Sequence, residues 1–144
     1  SGTGLKVGLR SRLEQETEGD PDILVVDSTG ELRDLYPACE LVFIGKTLTG
    51  KGGQNFLEAA RHGRAIVAGP HMENFQSLRR EFLADKAIVV STDAQELGIH
   101  LDRLLASPED RDELGRRALL CFREHLGAGA RHVEALLKFL NGRV

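Results

Sequence analysis

The residues best suited to chemistry form a glycine-rich segment that leads into a predicted helix. The segment runs from Gly45 to Asn55 and contains four glycines, two of them adjacent at Gly52 and Gly53. Glycine lets backbone amides approach a phosphate closely, and the N-terminus of the following helix supplies partial positive charge. We therefore predict that this segment binds the phosphate of a nucleotide.

A carboxylate lies close to this segment, because Glu58 is one turn inside the predicted helix from Asn55. At this position Glu58 could accept hydrogen bonds from ribose hydroxyls while the glycines hold the phosphate. The alternative is a solvent-facing carboxylate that interacts only with the positive end of the helix dipole. The neighbouring glycines favour the first interpretation.

The same segment nearly matches a second phosphate-binding motif, the P-loop. Gly45, Gly50 and Lys51 occupy their positions in the pattern GxxxxGK[ST] after a predicted strand. Gly52 stands where a Ser or Thr would bind magnesium, and neither Asp27 nor a later acidic strand end is a convincing partner for the metal. A P-loop nucleotide hydrolase is therefore not favoured.

Two further loops follow predicted strands, where open α/β sheets bind their ligands. One, from Asp27 to Leu32, is either the capped N-terminus of a helix or a turn whose amides near Gly30 hold an anion or a base edge. The other carries a rigid Gly-Pro turn before His71 and Asn74. His71 either contacts a phosphate or a sugar in the same crevice or caps the following helix.

The remaining histidines and both cysteines lack such surroundings. We expect these histidines to be surface or edge residues and the thiols to pack among apolar helical residues. Because the sequence has no HExxH or CxxC spacing, we predict neither a metal site nor a disulfide framework. The residues concerned are His62, His100, His125, His132, Cys39 and Cys121.

The elements that position these loops alternate between strands and helices. Five short apolar runs are separated by segments with helical spacing, and runs apolar at successive positions suit strands buried on both faces. This alternation predicts a doubly wound, mostly parallel, Rossmann-like α/β sheet with helices on both faces. The predicted strands are Leu5–Leu9, Ile23–Val26, Leu41–Ile44, Ala65–Ala68 and Ala87–Val90.

The chain after the fifth predicted strand is wholly helical. Thr92 and Gln95 have capping-box spacing at the start of one helix. Ser107 followed by Pro108 is typical of the start of the next helix. The sequence Gly127-Ala128-Gly129 is expected to break that helix before a last one begins.

Length and composition fit one soluble domain over residues 1–144. Apolar residues make up 41% and charged residues 28%, and the net charge of -3 leaves no basic surface for nucleic acid or anionic lipid. No stretch approaches the ~20 apolar residues of a membrane span. We expect a domain from a reducing compartment that neither binds nucleic acid nor inserts into a membrane.

Four motifs occur in order along the chain and together identify a family resemblance. They read Asp27-x-x-Gly30-Glu31-Leu32, Phe43-Ile44-Gly45, Gly52-Gly53-Gln54-Asn55-x-Leu57-Glu58 and Gly69-Pro70-His71-x-x-Asn74-Phe75. With this order and spacing, the chain resembles the C-terminal domain of the 3-deoxy-D-manno-octulosonic acid (Kdo) transferases from about Leu5 to about Leu140.

The resemblance implies the donor-binding half of a two-domain enzyme of the glycosyltransferase-B architecture. Such enzymes move Kdo from CMP-Kdo to a lipid A precursor in lipopolysaccharide synthesis, and we expect the donor to bind here without a metal or other cofactor. By its position, Glu58 would hold the ribose. The predicted donor-binding residues are Gly30, Glu31, Leu32, Gly52, Gly53, Gln54, Asn55, Glu58, His71 and Asn74. The sequence departs from the family at Lys46, Gln54 and Ala59, where Gly, His and Pro are usual.

The acceptor-binding part of the family is not expected in this chain. A further donor-binding loop would precede Leu5, and an N-terminal domain with a carboxylate base would bind the lipid A precursor at the cytoplasmic face of the inner membrane. We therefore expect a soluble fragment without catalytic residues, whose exposed sheet edge could pair with a second copy. The alternatives are the donor domain of another nucleotide-sugar glycosyltransferase and a non-catalytic nucleotide-binding module.

Overall fold

The computed structural model describes residues 4–13 and 19–141, with side chains in the last helix described up to residue 127 and at 137–140. The chain divides into two compact units, and the division falls between Leu35 and Tyr36. We call them the amino-terminal unit and the carboxyl-terminal unit. Each contains a parallel sheet of its own.

The amino-terminal unit is built on two short strands. Strand β1 (Val7–Leu9) pairs in parallel with strand β2 (Ile23–Val25). A turn of 3-10 helix (Arg10–Arg12) follows β1, and helix α1 (Leu32–Leu35) ends the unit. Apolar side chains of both strands are exposed. The dimer predicted from an exposed edge stays a prediction.

The carboxyl-terminal unit contains a three-stranded parallel sheet in the order β3-β4-β5. These strands are Leu41–Ile44, Ala65–Ala68 and Val89–Val90. Strands β3 and β4 pair along their whole length, so Ile44 and Ala68 end the two strands side by side. Strand β4 is central and buried throughout, in agreement with its uninterrupted apolar sequence.

Helices follow each strand of this sheet. Their bounds are α2 Lys46–Thr49, α3 Leu57–Arg61, α4 Gln76–Ala84, α5 Ala94–Ala106 and α6 Pro108–Asn141, with short 3-10 turns at Tyr36–Ala38 and Glu73–Phe75.

The helices pack on both faces of the three-stranded sheet. Successive residues of a strand point to opposite faces, and those of β4 divide accordingly between two apolar clusters. Ile66 and Ala68 belong to the cluster with residues of α3, α4 and α6, whereas Ala65 and Val67 join residues of α5 and α6. The predicted α/β class, with parallel strands flanked by helices, is confirmed.

The predicted and observed strands differ at their ends. Strands β3 and β4 have the predicted bounds, while β1, β2 and β5 are shorter and the five strands divide between two sheets. Strand β5 has only two residues because only Val89 and Val90 pair with β4. The preceding Ala87 and Ile88 are buried without being part of the strand.

Two predictions about the helices are wrong. The glycines at 127 and 129 do not end a helix, since α6 continues through them to Asn141; one glycine in a helix costs only about 1 kcal/mol relative to alanine. The cap of α5 is shifted by one residue from Thr92. Asp93 accepts a hydrogen bond from the Glu96 amide at 2.8 Å, and the Glu96 carboxylate accepts one from the Thr92 amide at 2.6 Å.

Two helical glycines differ in the space around them, so we predict opposite effects when each is replaced by alanine. A Cβ atom on Gly115 of α6 would overlap the carbonyl oxygen of Gly63, whereas one on Gly98 of α5 would meet open space. We expect Gly115→Ala to lower the free energy of unfolding by about 2 kcal/mol through overpacking. Gly98→Ala should raise it by about 0.5–1 kcal/mol through helix propensity. Urea unfolding of both variants tests this, and a stabilised Gly115→Ala variant would contradict the packing described.

Candidate functional site

The candidate site lies where the loops after β3 and β4 meet. We call residues 45–56 the β3 loop and residues 69–75 the β4 loop. The His71 amide donates to the carbonyl oxygen of Thr47 at 2.9 Å, and the Asn74 amide donates to the carbonyl oxygen of Gly52 at 3.1 Å. The loops lie side by side because they continue from adjacent parallel strands. The structure thus brings together the third and fourth motifs of the sequence analysis, which begin at Gly52 and Gly69.

A buried threonine joins the beginnings of these loops. The Thr47 hydroxyl donates to the carbonyl oxygen of Ile44 and accepts from the Gly69 amide, each at 2.5 Å. Thr47 is fully buried. A Cβ atom on Gly69 would overlap the backbone of Thr47 and Leu48, so only glycine allows this approach. Sequence reasoning missed Thr47, because its partner in the other loop, Gly69, lies 22 residues away.

The paired glycines of the β3 loop adopt backbone conformations that favour glycine. The φ angles are +89° at Gly52 and +75° at Gly53. A Cβ atom on Gly52 would lie 2.9 Å from the side-chain nitrogen of Asn74, and one on Gly53 would lie 2.9 Å from the carbonyl oxygen of His71. The glycines therefore permit the contact between the two loops, and Gly53 is buried beneath the β4 loop.

A carboxylate that the sequence analysis did not select lies at the centre of the site. Glu73 accepts a hydrogen bond from the Gly52 amide at 2.7 Å, and its second oxygen lies 3.2 Å from Nδ1 of His71. The backbone amide of Glu73 itself, then the Gly52 amide and then His71 lower the pKa of this carboxyl. The His-x-Glu spacing was the only local clue, because the contact with Gly52 spans 21 residues.

The start of α3 presents three of the predicted donor-binding residues to solvent. Gln54, Asn55 and Glu58 are all exposed. The Asn55 side-chain oxygen accepts from the Leu57 amide at 2.9 Å, which leaves its NH₂ group able to donate elsewhere. Among the described residues, none donates a hydrogen bond to the Glu58 carboxylate.

Glu58 acts electrostatically on a buried tyrosine. Burial, followed by the negative charge of Glu58, raises the pKa of Tyr36. Tyr36 is only 6% exposed, and its ring stacks on His62 with 6.4 Å between the ring centroids. His62 is thus a half-buried packing residue.

The first motif lies in the amino-terminal unit, where it forms a polar cluster. Glu31 accepts from the Ser28 hydroxyl at 2.8 Å and pairs with Arg10 at 3.1 Å. Gly30 has a φ of +95°.

Asp27 does not cap α1, because its carboxylate accepts hydrogen bonds from the amide and the hydroxyl of Ser11. The role of the Gly30-Glu31-Leu32 turn in donor binding stays a prediction.

The Ser11 hydroxyl and then the Ser11 amide lower the pKa of Asp27. Sequence reasoning missed both Arg10 and Ser11, which directly follow β1. Their position after a strand was the available clue.

The remaining histidines and thiols take mainly structural positions. His100 lies 2.9 Å from the hydroxyl of buried Ser91, and His125 pairs with Glu81 at 3.2 Å. Burial is the main reason why the pKa of Cys121 rises to about 12, which agrees with the predicted packing thiol. The side chain of His132 lies outside the described residues.

Neither metal chelation nor membrane spanning has a candidate in the described part of the chain. Residues 4–13 and 19–141 contain no group of three or more His, Cys, Asp or Glu side chains arranged to hold a metal ion. Within the same residues, no helix is long and apolar enough to span a membrane.

The buried hydroxyl of Thr47 predicts a large loss of stability on its removal. Thr47→Val leaves the carbonyl oxygen of Ile44 and the amide of Gly69 without their partner, so we expect the free energy of unfolding to fall by about 2–4 kcal/mol. Thr49→Val, an exposed position in the same helix, should change it by less than about 0.5 kcal/mol. Urea unfolding compares the two, and equal stabilities would contradict the role of Thr47.

Comparisons with known proteins agree on one group of relatives. No protein-family model matches the chain. A 3-deoxy-D-manno-octulosonic acid transferase from Bordetella pertussis is 31% identical over 95% of this chain and 32% of its own length. The enzyme of that name from Chlamydia muridarum is 32% identical over 94% of this chain and 31% of its own length. The chain therefore spans about a third of the length of these relatives.

A solved structure shows the same similarity in three dimensions. The C-terminal CMP-Kdo binding domain of WaaA from Acinetobacter baumannii matches with a TM-score of 0.72 and 31% identity, over 81% of this chain and 61% of that one. The similarity in sequence and the similarity in fold thus both extend over most of this chain. The predicted resemblance to the C-terminal domain of the Kdo transferases is confirmed by both comparisons.

Proposed function

We propose that this chain is the donor-binding part of a glycosyltransferase that moves Kdo from CMP-Kdo to a lipid A precursor in lipopolysaccharide synthesis. The observation that carries the proposal is the meeting of the β3 and β4 loops at the ends of adjacent parallel strands. There Gly52, His71 and Asn74 come together in a chain similar to a CMP-Kdo binding domain. Such strand ends are where open α/β sheets bind nucleotides.

Two kinds of group at this site suit the two ends of a nucleotide monophosphate. The Gly52 amide and the His71 imidazole can donate hydrogen bonds to a phosphate. The exposed Glu58 carboxylate, with no hydrogen-bond donor among the described residues, can accept from ribose hydroxyls. The Asn55 NH₂ group can donate to either. Gln54 is exposed beside them, whereas buried Gly53 supports the loop from below.

The proposed chemical role of the chain is to stabilise the leaving group. When the bond between the sugar and CMP breaks, negative charge develops on the CMP phosphate. Preorganised donors aimed at that phosphate lower the barrier because they do not have to reorient during the reaction. We assign this role to the Gly52 amide and His71, and donor binding without a metal or other cofactor stays part of the proposal.

The remaining steps are assigned to parts of the relatives that this chain does not span. We propose that a separate domain, in a two-domain glycosyltransferase-B arrangement, binds the lipid A precursor and supplies the carboxylate base. The full-length enzyme would act at the cytoplasmic face of the inner membrane. The displacement at the anomeric carbon would then proceed with inversion and with CMP as the leaving group.

The proposed role of Glu58 predicts a selective loss of nucleotide affinity. We expect Glu58→Ala to weaken CMP binding by about tenfold or more, because the ribose loses a charged acceptor worth about 1.5–3 kcal/mol. Glu109→Ala is the matched control, since Glu109 is also an exposed carboxylate in the first turn of a helix. Isothermal titration calorimetry of this chain with CMP measures both.

Titration with UDP and ADP shows whether the site selects its base. We expect CMP to bind more tightly than UDP or ADP. Unchanged CMP affinity in Glu58→Ala would remove Glu58 from the site, and preferential UDP binding would point to another nucleotide sugar.

A further inference from the structure

The groups assigned to the donor phosphate already hold an anion that belongs to the protein. One carboxylate oxygen of Glu73 lies 2.7 Å from the Gly52 amide nitrogen, and the other lies 3.2 Å from His71 Nδ1. These are the same two donors that a CMP phosphate would use under the proposed function, on which this inference rests. A carboxylate presents two oxygens to them in the way a phosphate would.

The Gly52 amide cannot serve both anions well. A backbone N–H donates one strong hydrogen bond, and two negative groups on the same donor would repel each other at short range. We propose that Glu73 competes with the donor phosphate for Gly52 and His71, so that donor binding displaces the Glu73 carboxylate. Glu73 thereby sets the affinity of the site for anions.

A displaced carboxylate finds compensating charge beside the β4 loop. Glu73 borders a cavity of about 240 Å³ that Gln76, Arg79 and Arg80 also line. Neither guanidinium forms an ion pair with another residue in the described part of the chain, and the buried Nε of Arg79 has no hydrogen-bond partner there. A rotation of the Glu73 side chain toward these cations keeps its charge paired when it leaves Gly52.

The exchange needs no movement of the backbone. The loops are also joined by the hydrogen bond from the Asn74 amide to the carbonyl oxygen of Gly52, which does not involve the Glu73 carboxylate. The bonds of Thr47 hold the beginnings of the same loops. Glu73 is itself exposed, so the carboxylate can leave while the site keeps its shape.

The competition predicts that removing the carboxylate tightens anion binding. We expect Glu73→Gln and Glu73→Ala to bind inorganic phosphate and CMP about three- to tenfold more tightly than the unmodified chain, since a charge-assisted hydrogen bond no longer has to be exchanged. Glu81→Gln is the matched control, because Glu81 makes a similar 3.2 Å contact with His125. Its affinities should not change. NMR titrations that follow the Gly52 amide measure all four proteins.

The two probes separate this inference from the proposed function. Tighter phosphate binding by both Glu73 variants without any CMP binding would support the competition and contradict the nucleotide site. Equal or weaker phosphate and CMP binding by the variants would overturn the competition and leave Glu73 as a support for the loop. Absence of both phosphate and CMP binding in every protein would overturn the competition as well, because the site would then not bind anions even without the carboxylate.

Discussion

The site depends on one buried contact, the Thr47 hydroxyl between the carbonyl oxygen of Ile44 and the amide of Gly69. It joins the ends of two adjacent strands at the point where the chain leaves the sheet. Thr47 is fully buried, so an unpaired partner would be costly. The absence of a side chain at Gly69 allows the backbones to approach. The position of the β4 loop over the β3 loop follows from this contact.

The packing of the two loops gives a second reason for the glycines of the β3 loop. Glycines before a helix suggested that a phosphate approaches them closely. In the structure, residues of the β4 loop lie so close to Gly52 and Gly53 that a side chain at either position would collide with them. The two explanations are compatible, because packing at Gly52 also fixes the direction of its amide. That amide already binds the Glu73 carboxylate, so the loop can hold an anion in the absence of any ligand.

Sequence reasoning succeeded where local pattern determines structure and failed where a distant partner does. The bounds of β3 and β4 were predicted because both strands are apolar at every position, and only β4 is buried throughout. The contacts of Thr47 and Glu73 were missed, since each spans more than 20 residues. The continuous α6 was missed because a glycine penalty of about 1 kcal/mol is small beside the packing of a long helix. The roles of the donor-binding residues stay predictions.

If a nucleotide monophosphate binds where the β3 and β4 loops meet, then the addition of CMP must change the NMR shifts of the backbone amides in these loops. We predict that the largest shifts lie at Gly52, His71 and Asn74 and at the start of α3 around Glu58. A separate cavity of about 250 Å³, lined by residues of α5 and α6 together with Lys86, should remain unaffected. Shifts concentrated at that cavity, with the Gly52 amide unchanged, would show that the nucleotide does not bind between the two loops.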